Sequence, residues 1–140
     1  MPSLQTSLLV LGFSLSIASP AVAQAPKKKS KNEQAESVKT RKDLLEQTIM
    51  TLNKNKKCQV DGECEALEMG SRICGGPSQY LIVSLSNPQF SSVKAKVTEY
   101  TAVEKELNLV DPPNDCPPAP NQPDPKCSKE KEECYNGPRR

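Results

Sequence analysis

The sequence predicts a small α+β domain rich in disulfides, with short strands, two amphipathic helices and a Pro-rich crossing, and three observations carry that prediction. Six cysteines, at 58, 64, 74, 116, 127 and 134, follow an apolar leader. Two stretches repeat apolar residues at helical spacing. Large apolar side chains are scarce: there is no Trp, and past the leader the only rings are Tyr80, Phe90, Tyr100 and Tyr135. A domain of this size with so little to bury needs covalent help to stay closed.

The leader comes first in the chain. Leu8 to Ala18 is an apolar run of the length of a signal-peptide h-region, followed by Pro20 and the small-residue triplet Ala21-Val22-Ala23. Eleven residues interrupted by Ser14 and Ser16 are too few to cross a hydrocarbon core about 30 Å thick, which favours a cleaved leader over an anchor. Cleavage after Ala23 is expected, so residues 1–23 are read as the signal peptide. No cysteine stands at the cleavage point to carry a lipid, and no Asn-x-Ser/Thr sequon is present.

Residues 24–40 are Lys, Gln, Glu, Ser and Asn with almost nothing apolar, so they are read as a disordered basic arm that buries too little to offset its conformational entropy. The stapled domain is expected over 41–135, with 136–140 a flexible tail. Charge divides along the same line. Residues 24–57 carry ten Lys/Arg against four Asp/Glu, and residues 58–140 carry nine against thirteen. The Lys27-Lys28-Lys29-Ser30-Lys31 run could meet anionic lipid, polysaccharide or nucleic acid. Without interleaved aromatics it is read as a solvated spacer, and no nucleic-acid partner is expected.

Leu45, Ile49 and Leu52 lie at i, i+4 and i+7, predicting a helix over 41–54, with Leu44 and Met50 beside the stripe. Cys64 to Ile73 alternates weakly and is broken by Gly70, which suggests a short strand running into a turn. Cys74-Gly75-Gly76-Pro77 is turn punctuation, since two residues are free to take positive φ and the third has φ fixed. Tyr80 to Val83 is the strongest strand candidate. After Asn87-Pro88, the apolar positions Val93, Val97, Tyr100, Val103 and Leu107 predict a second helix over 90–108. Seven of the fifteen residues from Asp111 to Pro125 are Pro, which excludes helix and inner strand and leaves an extended crossing. A hairpin or loop is expected between Cys127 and Cys134.

An even number of cysteines behind a signal peptide reads as a disulfide framework. Six cysteines allow fifteen pairings. The preferred one joins Cys74 to Cys116, tying the Gly-Gly-Pro turn to the crossing, with Cys58 and Cys64 bonded to Cys127 and Cys134 in either order. Zinc is disfavoured, because the chain has neither a C-x2-C pair nor a histidine. The lack of histidine also removes Ser-His-Asp and Cys-His catalysis, and the lack of C-x-x-C disfavours a thioredoxin-like centre. Gly75-Gly76 lacks the frame of a phosphate-binding loop. No cofactor and no metal are expected.

Cys58-Gln-Val-Asp61-Gly-Glu-Cys64, then Cys74-Gly75-Gly76-Pro77-Ser-Gln-Tyr80-Leu81, and finally Asp115-Cys116 leading through Pro-rich chain to Cys127, form a C-x-x-D-x-x-C, CGGPxxYL and DC pattern with a closing cysteine pair. The pattern resembles a family of small cysteine-rich proteins exported by Gram-negative bacteria and covers residues 58 to 134. The resemblance implies an envelope or extracellular setting and brings no activity with it. The six residues between Cys127 and Cys134 depart from the shorter C-x-x-G-x-C ending of that pattern.

These features favour a monomeric, non-enzymatic binding or structural module of the periplasm or cell exterior, whose partner would be an envelope or extracellular protein. The alternative is a peptidase inhibitor. Arg72-Ile73 directly precedes Cys74, and a disulfide-braced loop can present a scissile-like bond rigidly. An enzyme working with carboxylates alone ranks third, because the acidic residues stand in charged, solvated stretches.

Overall fold

A computed structural model describes residues 30–138. The expected signal peptide, the first six residues of the arm and the last two of the tail lie outside them. In order, the described chain forms α1 (Lys31–Leu52), a short 3-10 turn (Asp61–Glu63), β1 (Cys64–Met69), β2 (Gln79–Ser84), α2 (Phe90–Val110), β3 (Asp124–Ser128) and β4 (Glu133–Gly137). This is the small α+β domain that the sequence predicts, with two antiparallel two-stranded sheets, β1-β2 and β3-β4.

The first correction concerns the arm. Residues 31–40 are helical, so α1 begins ten residues before the expected start and ends at Leu52 instead of residue 54. Two causes are visible. Ser30 and Glu33 form a reciprocal capping box, the Ser30 hydroxyl accepting from Glu33 N–H while the Glu33 carboxylate accepts from Ser30 N–H. Such a cap satisfies two of the donors left free at a helix start. In addition, Val38 extends the apolar stripe of Leu45 and Ile49 by two turns and is buried with them. Composition counted one valine among polar residues as negligible, although it stands on the face that α2 covers.

The helices are antiparallel. Lys39 meets Asp111, Arg41 meets Glu106 at 2.6 Å and Lys42 meets Glu104 at 3.5 Å, which sets the start of α1 beside the end of α2. At the other end Asn87 donates its carboxamide N–H to the Leu52 carbonyl, closing one of the acceptors that the end of α1 leaves open. Asn53 caps α1 and donates to the Ile82 carbonyl, which ties the helix to β2.

The β1-β2 hairpin is a shared wall. Its register sets Leu67 against Leu81, Glu65 against Val83 and Met69 against Gln79. Because strand side chains alternate, Leu67, Met69, Leu81 and Val83 turn to one face. There they join Val38, Leu45, Ile49, Val93, Val97, Tyr100 and Val103 in the apolar core. Cys64 and Ile82 turn to the other face, where they pack with Cys58, Cys127 and Cys134. β1 stops at Met69, short of Ile73, because the chain turns at Gly70 with φ +83°.

All six cysteines are bridged: Cys58–Cys127, Cys64–Cys134 and Cys74–Cys116, with Cα separations of 5.9, 5.5 and 6.2 Å. The second correction concerns the tail. Asn136 and Gly137 belong to β4, opposite Pro125 and Asp124, so the domain runs past residue 135. Pro125 is tolerated because β3 has a single strand neighbour and needs no N–H on its outer side.

Candidate functional site

The two residues singled out for binding, Arg72 and Ile73, lie on the wall of a cleft of about 400 Å³. One side is the loop from Ser71 to Ser78, the floor is Glu104 and Asn108 of α2, and the far side is the Pro-rich segment with Pro113, Pro117 and Pro120. The volume lies in the range of small-ligand sites. The Pro-rich segment thus acts as a strap over the body, pinned within its length by Cys74–Cys116 and just beyond its far end by Cys58–Cys127.

Glu104 positions the loop. Its carboxylate accepts from Ser71 N–H at 2.7 Å and from the Ser78 hydroxyl, and it pairs with the Lys42 ammonium. Asn108 donates to the Ser71 carbonyl at 2.6 Å, and Thr101 accepts from Gly70 N–H. Gly70 is required there, because a Cβ would stand 2.8 Å from that of Ser78 as well as needing an unfavourable positive φ. The loop closes on itself through Arg72 N–H to the Gly76 carbonyl and Gly75 N–H to the Arg72 carbonyl, with Gly75 and Gly76 both at positive φ as the Gly-Gly-Pro motif predicts.

Arg72 is half-buried, and its side chain turns along the surface toward the strap. Its guanidinium donates to the Pro117 carbonyl and lies 3.6 Å from the Cys116 sulfur, so the side chain clamps the strap to the loop. A trypsin-type inhibitor must offer its basic side chain outward to the enzyme. Ile73 next to it is half exposed, at 50%.

Behind the cleft Lys42 stands 5.4 Å above the ring of buried Tyr100. Desolvation pulls the Lys42 pKa down, but the Tyr100 oxygen and the Glu104 carboxylate outweigh it and leave it above its ordinary value. Burial raises the Tyr100 phenol, Lys42 opposing and Glu104 adding to the effect. Sequence reading missed Glu104, Lys42 and Asn108 as loop anchors. The available signal was their position: Glu104 and Asn108 share one face of α2 at i and i+4, next to the apolar stripe.

A second concavity, an open groove of about 910 Å³, runs along the β3-β4 hairpin and is lined by Asp61, Asp124, Lys126, Cys127, Lys129 and Tyr135. It is larger but mostly polar, and Lys126 is already shared between Asp61 and Asp124. The cleft under the strap, with apolar Pro and Ile walls around a few convergent polar groups, has the composition of a ligand site.

Among the described residues no helix is long and apolar enough to cross a membrane. The chain matches no protein-family model, no curated protein and no solved structure.

Proposed function

We propose that this chain is an exported, disulfide-stapled binding module, released by cleavage after Ala23 into the periplasm or cell exterior, which engages an envelope or extracellular protein through the cleft under its strap. The observation that carries the reading is that cleft: a preformed concave surface whose two walls are locked together by Cys74–Cys116 and by the Arg72 clamp. Bracing both walls before binding lowers the ordering cost of docking. Three cystines are typical of small domains in oxidising compartments, which supports export. The resemblance to small cysteine-rich exported proteins of Gram-negative bacteria agrees with the same setting.

The test uses the full precursor expressed in a Gram-negative host. Amino-terminal sequencing of the protein recovered from periplasm and medium is expected to give Gln24. A photo-crosslinking side chain at Ile73 or Pro118, on the cleft rim, is expected to trap one discrete partner, and the same group at Thr48 on the exposed side of α1 none. Equal adducts from all three positions, or none from any, would remove the cleft from the account. Titration against trypsin-like peptidases is expected to leave their activity unchanged, because the Arg72 guanidinium is held by the Pro117 carbonyl.

A further inference from the structure

The two bridges on the outer face of the β1-β2 hairpin lie close enough to react with each other. The sulfurs of Cys58, Cys64 and Cys134 are all within 4.8 Å of one another, and each of these residues is buried. Cys127 and Cys134 stand directly opposite in the β3-β4 register. Their N–H groups point away from each other, Cys134 N–H to the Lys56 carbonyl and Cys127 N–H to the Asp61 carboxylate. That identifies a non-hydrogen-bonded pair, the arrangement in which antiparallel Cα atoms approach to about 4.5 Å, inside the range a disulfide spans. The four sulfurs therefore form one cluster that supports a second pairing, Cys58–Cys64 with Cys127–Cys134.

Access is one-sided. Cys127 is only partly buried and lines the open groove along the hairpin, where Lys126 and Lys129 stand among Asp61, Asp124 and Glu130, so a thiol reaches it through exposure and not through a net positive field. The other three cysteines are shielded.

We propose that this twin cystine is a thiol–disulfide exchange site for a small-molecule thiol. The entering thiolate attacks the Cys127 sulfur, forming a mixed disulfide and expelling the Cys58 thiolate. Cys58 then attacks Cys64, forming Cys58–Cys64 and releasing the Cys134 thiolate. Cys134 finally attacks the mixed disulfide on Cys127, forming Cys127–Cys134 and returning the thiol. Each step breaks one S–S bond and makes one, so no oxidant or reductant is consumed and the thiol acts as a catalyst. The outcome is mechanical. In the first pairing both bridges tie the β3-β4 hairpin to the body; in the second neither does, and the hairpin is left with the Lys57 to Glu133 bridge and the contacts of Asp61.

The experiment incubates the oxidised protein with millimolar glutathione at mildly alkaline pH, quenches with acid, and maps bridges after cleavage before Asp61 and after Lys126, Lys129 and Lys131. Cys58–Cys64 and Cys127–Cys134 peptides are expected to appear at a rate proportional to thiol, with no net thiol consumed and Cys74–Cys116 intact. The original pairing alone, over a time in which the same thiol equilibrates with free cystine, would overturn the proposal. So would scrambling that draws in Cys74 and Cys116 equally. A Cys127→Ser variant, checked for fold by circular dichroism, supplies the Cys58 thiol directly. It is expected to show Cys58–Cys64 and Cys58–Cys134 bridges without added glutathione, and Cys58 remaining free beside an unchanged Cys64–Cys134 would also overturn it.

Discussion

The two faces of the β1-β2 hairpin are stabilised by different physics. On the face toward the helices, eleven buried side chains from α1, α2 and both strands make a packed apolar cluster. On the other face Ile82 and four half-cystines hold the β3-β4 hairpin, with no aromatic ring and little aliphatic surface among them. One half of the molecule is held by removing hydrocarbon from water, the other by restricting the unfolded chain. The contrast explains how so ring-poor a sequence closes a domain: the core is confined to the helical side, and the remainder is fastened to it.

The comparison is broken most severely by removing both outer bridges. Cys58–Cys127 and Cys64–Cys134 close interleaved loops that share most of their length, with sequence separations of 69 and 70. In the chain-entropy model the first such bridge contributes about 4.4 kcal/mol, and the second, which then closes only a short residual loop, about 3 kcal/mol. Replacing both pairs by Ser is thus expected to cost about 7 kcal/mol, whereas replacing either pair alone costs about 3 kcal/mol, as read from chemical denaturation. Equal and additive losses would show that the bridges act through local strain or packing instead of through overlapping loops.

On the apolar face, Ile49→Ala removes a fully buried side chain from the centre of the cluster and is expected to cost about 3 to 4 kcal/mol. A hydrogen-exchange map should show the loss falling on α1, α2 and β1-β2 while the cystine-held hairpin stays comparatively protected. Uniform loosening would mean that the two faces unfold as one unit.

A smaller effect comes from pH. Lys42 and Tyr100 both have folded-state pKa values above their ordinary 10.5 and 10.0. Each holds its proton longer folded than unfolded, so their contribution is complete below about pH 10 and is lost as pH rises through the folded values. Thermal midpoints are expected to fall above pH 10, and Tyr100→Phe to make that fall shallower. A midpoint flat to pH 11 would remove these groups from the account.

The least costly change tests the end of α1 farthest from both faces. Ser30→Ala deletes the capping box and is expected to cost about 1 kcal/mol or less, seen as lost helicity in the first turns with the core unaltered.

Much of this architecture is legible in the chain, for reasons that can be assigned to residues. Apolar spacing marks α2 closely, since Val93, Val97, Tyr100 and Val103 bury one continuous stripe. The β-rich run at Tyr80 to Val83 lies inside β2, and Gly75-Gly76 makes the turn its conformational freedom suggests. The preferred pairing of Cys74 with Cys116, and of Cys58 and Cys64 with Cys127 and Cys134, is the one the structure contains. Residues 31–40 read as arm because only Val38 among them is strongly apolar, and one side chain is invisible to composition when its partner lies on a distant helix. Glu104 drew no role from the sequence for the same reason, although it receives the loop at Ser71 and Ser78.

Local chemistry alone determined the short-range features: amphipathic spacing, turn residues, the Pro-rich strap and the requirement for covalent fastening. Tertiary structure alone decided which sulfurs share a cluster, that Arg72 folds onto Pro117, and that the strap encloses a cleft with Glu104 beneath it. The physical reason is distance along the chain. Periodicity and backbone preference act over a few residues, while these contacts join segments tens of residues apart, and only packing of the whole chain brings them into register.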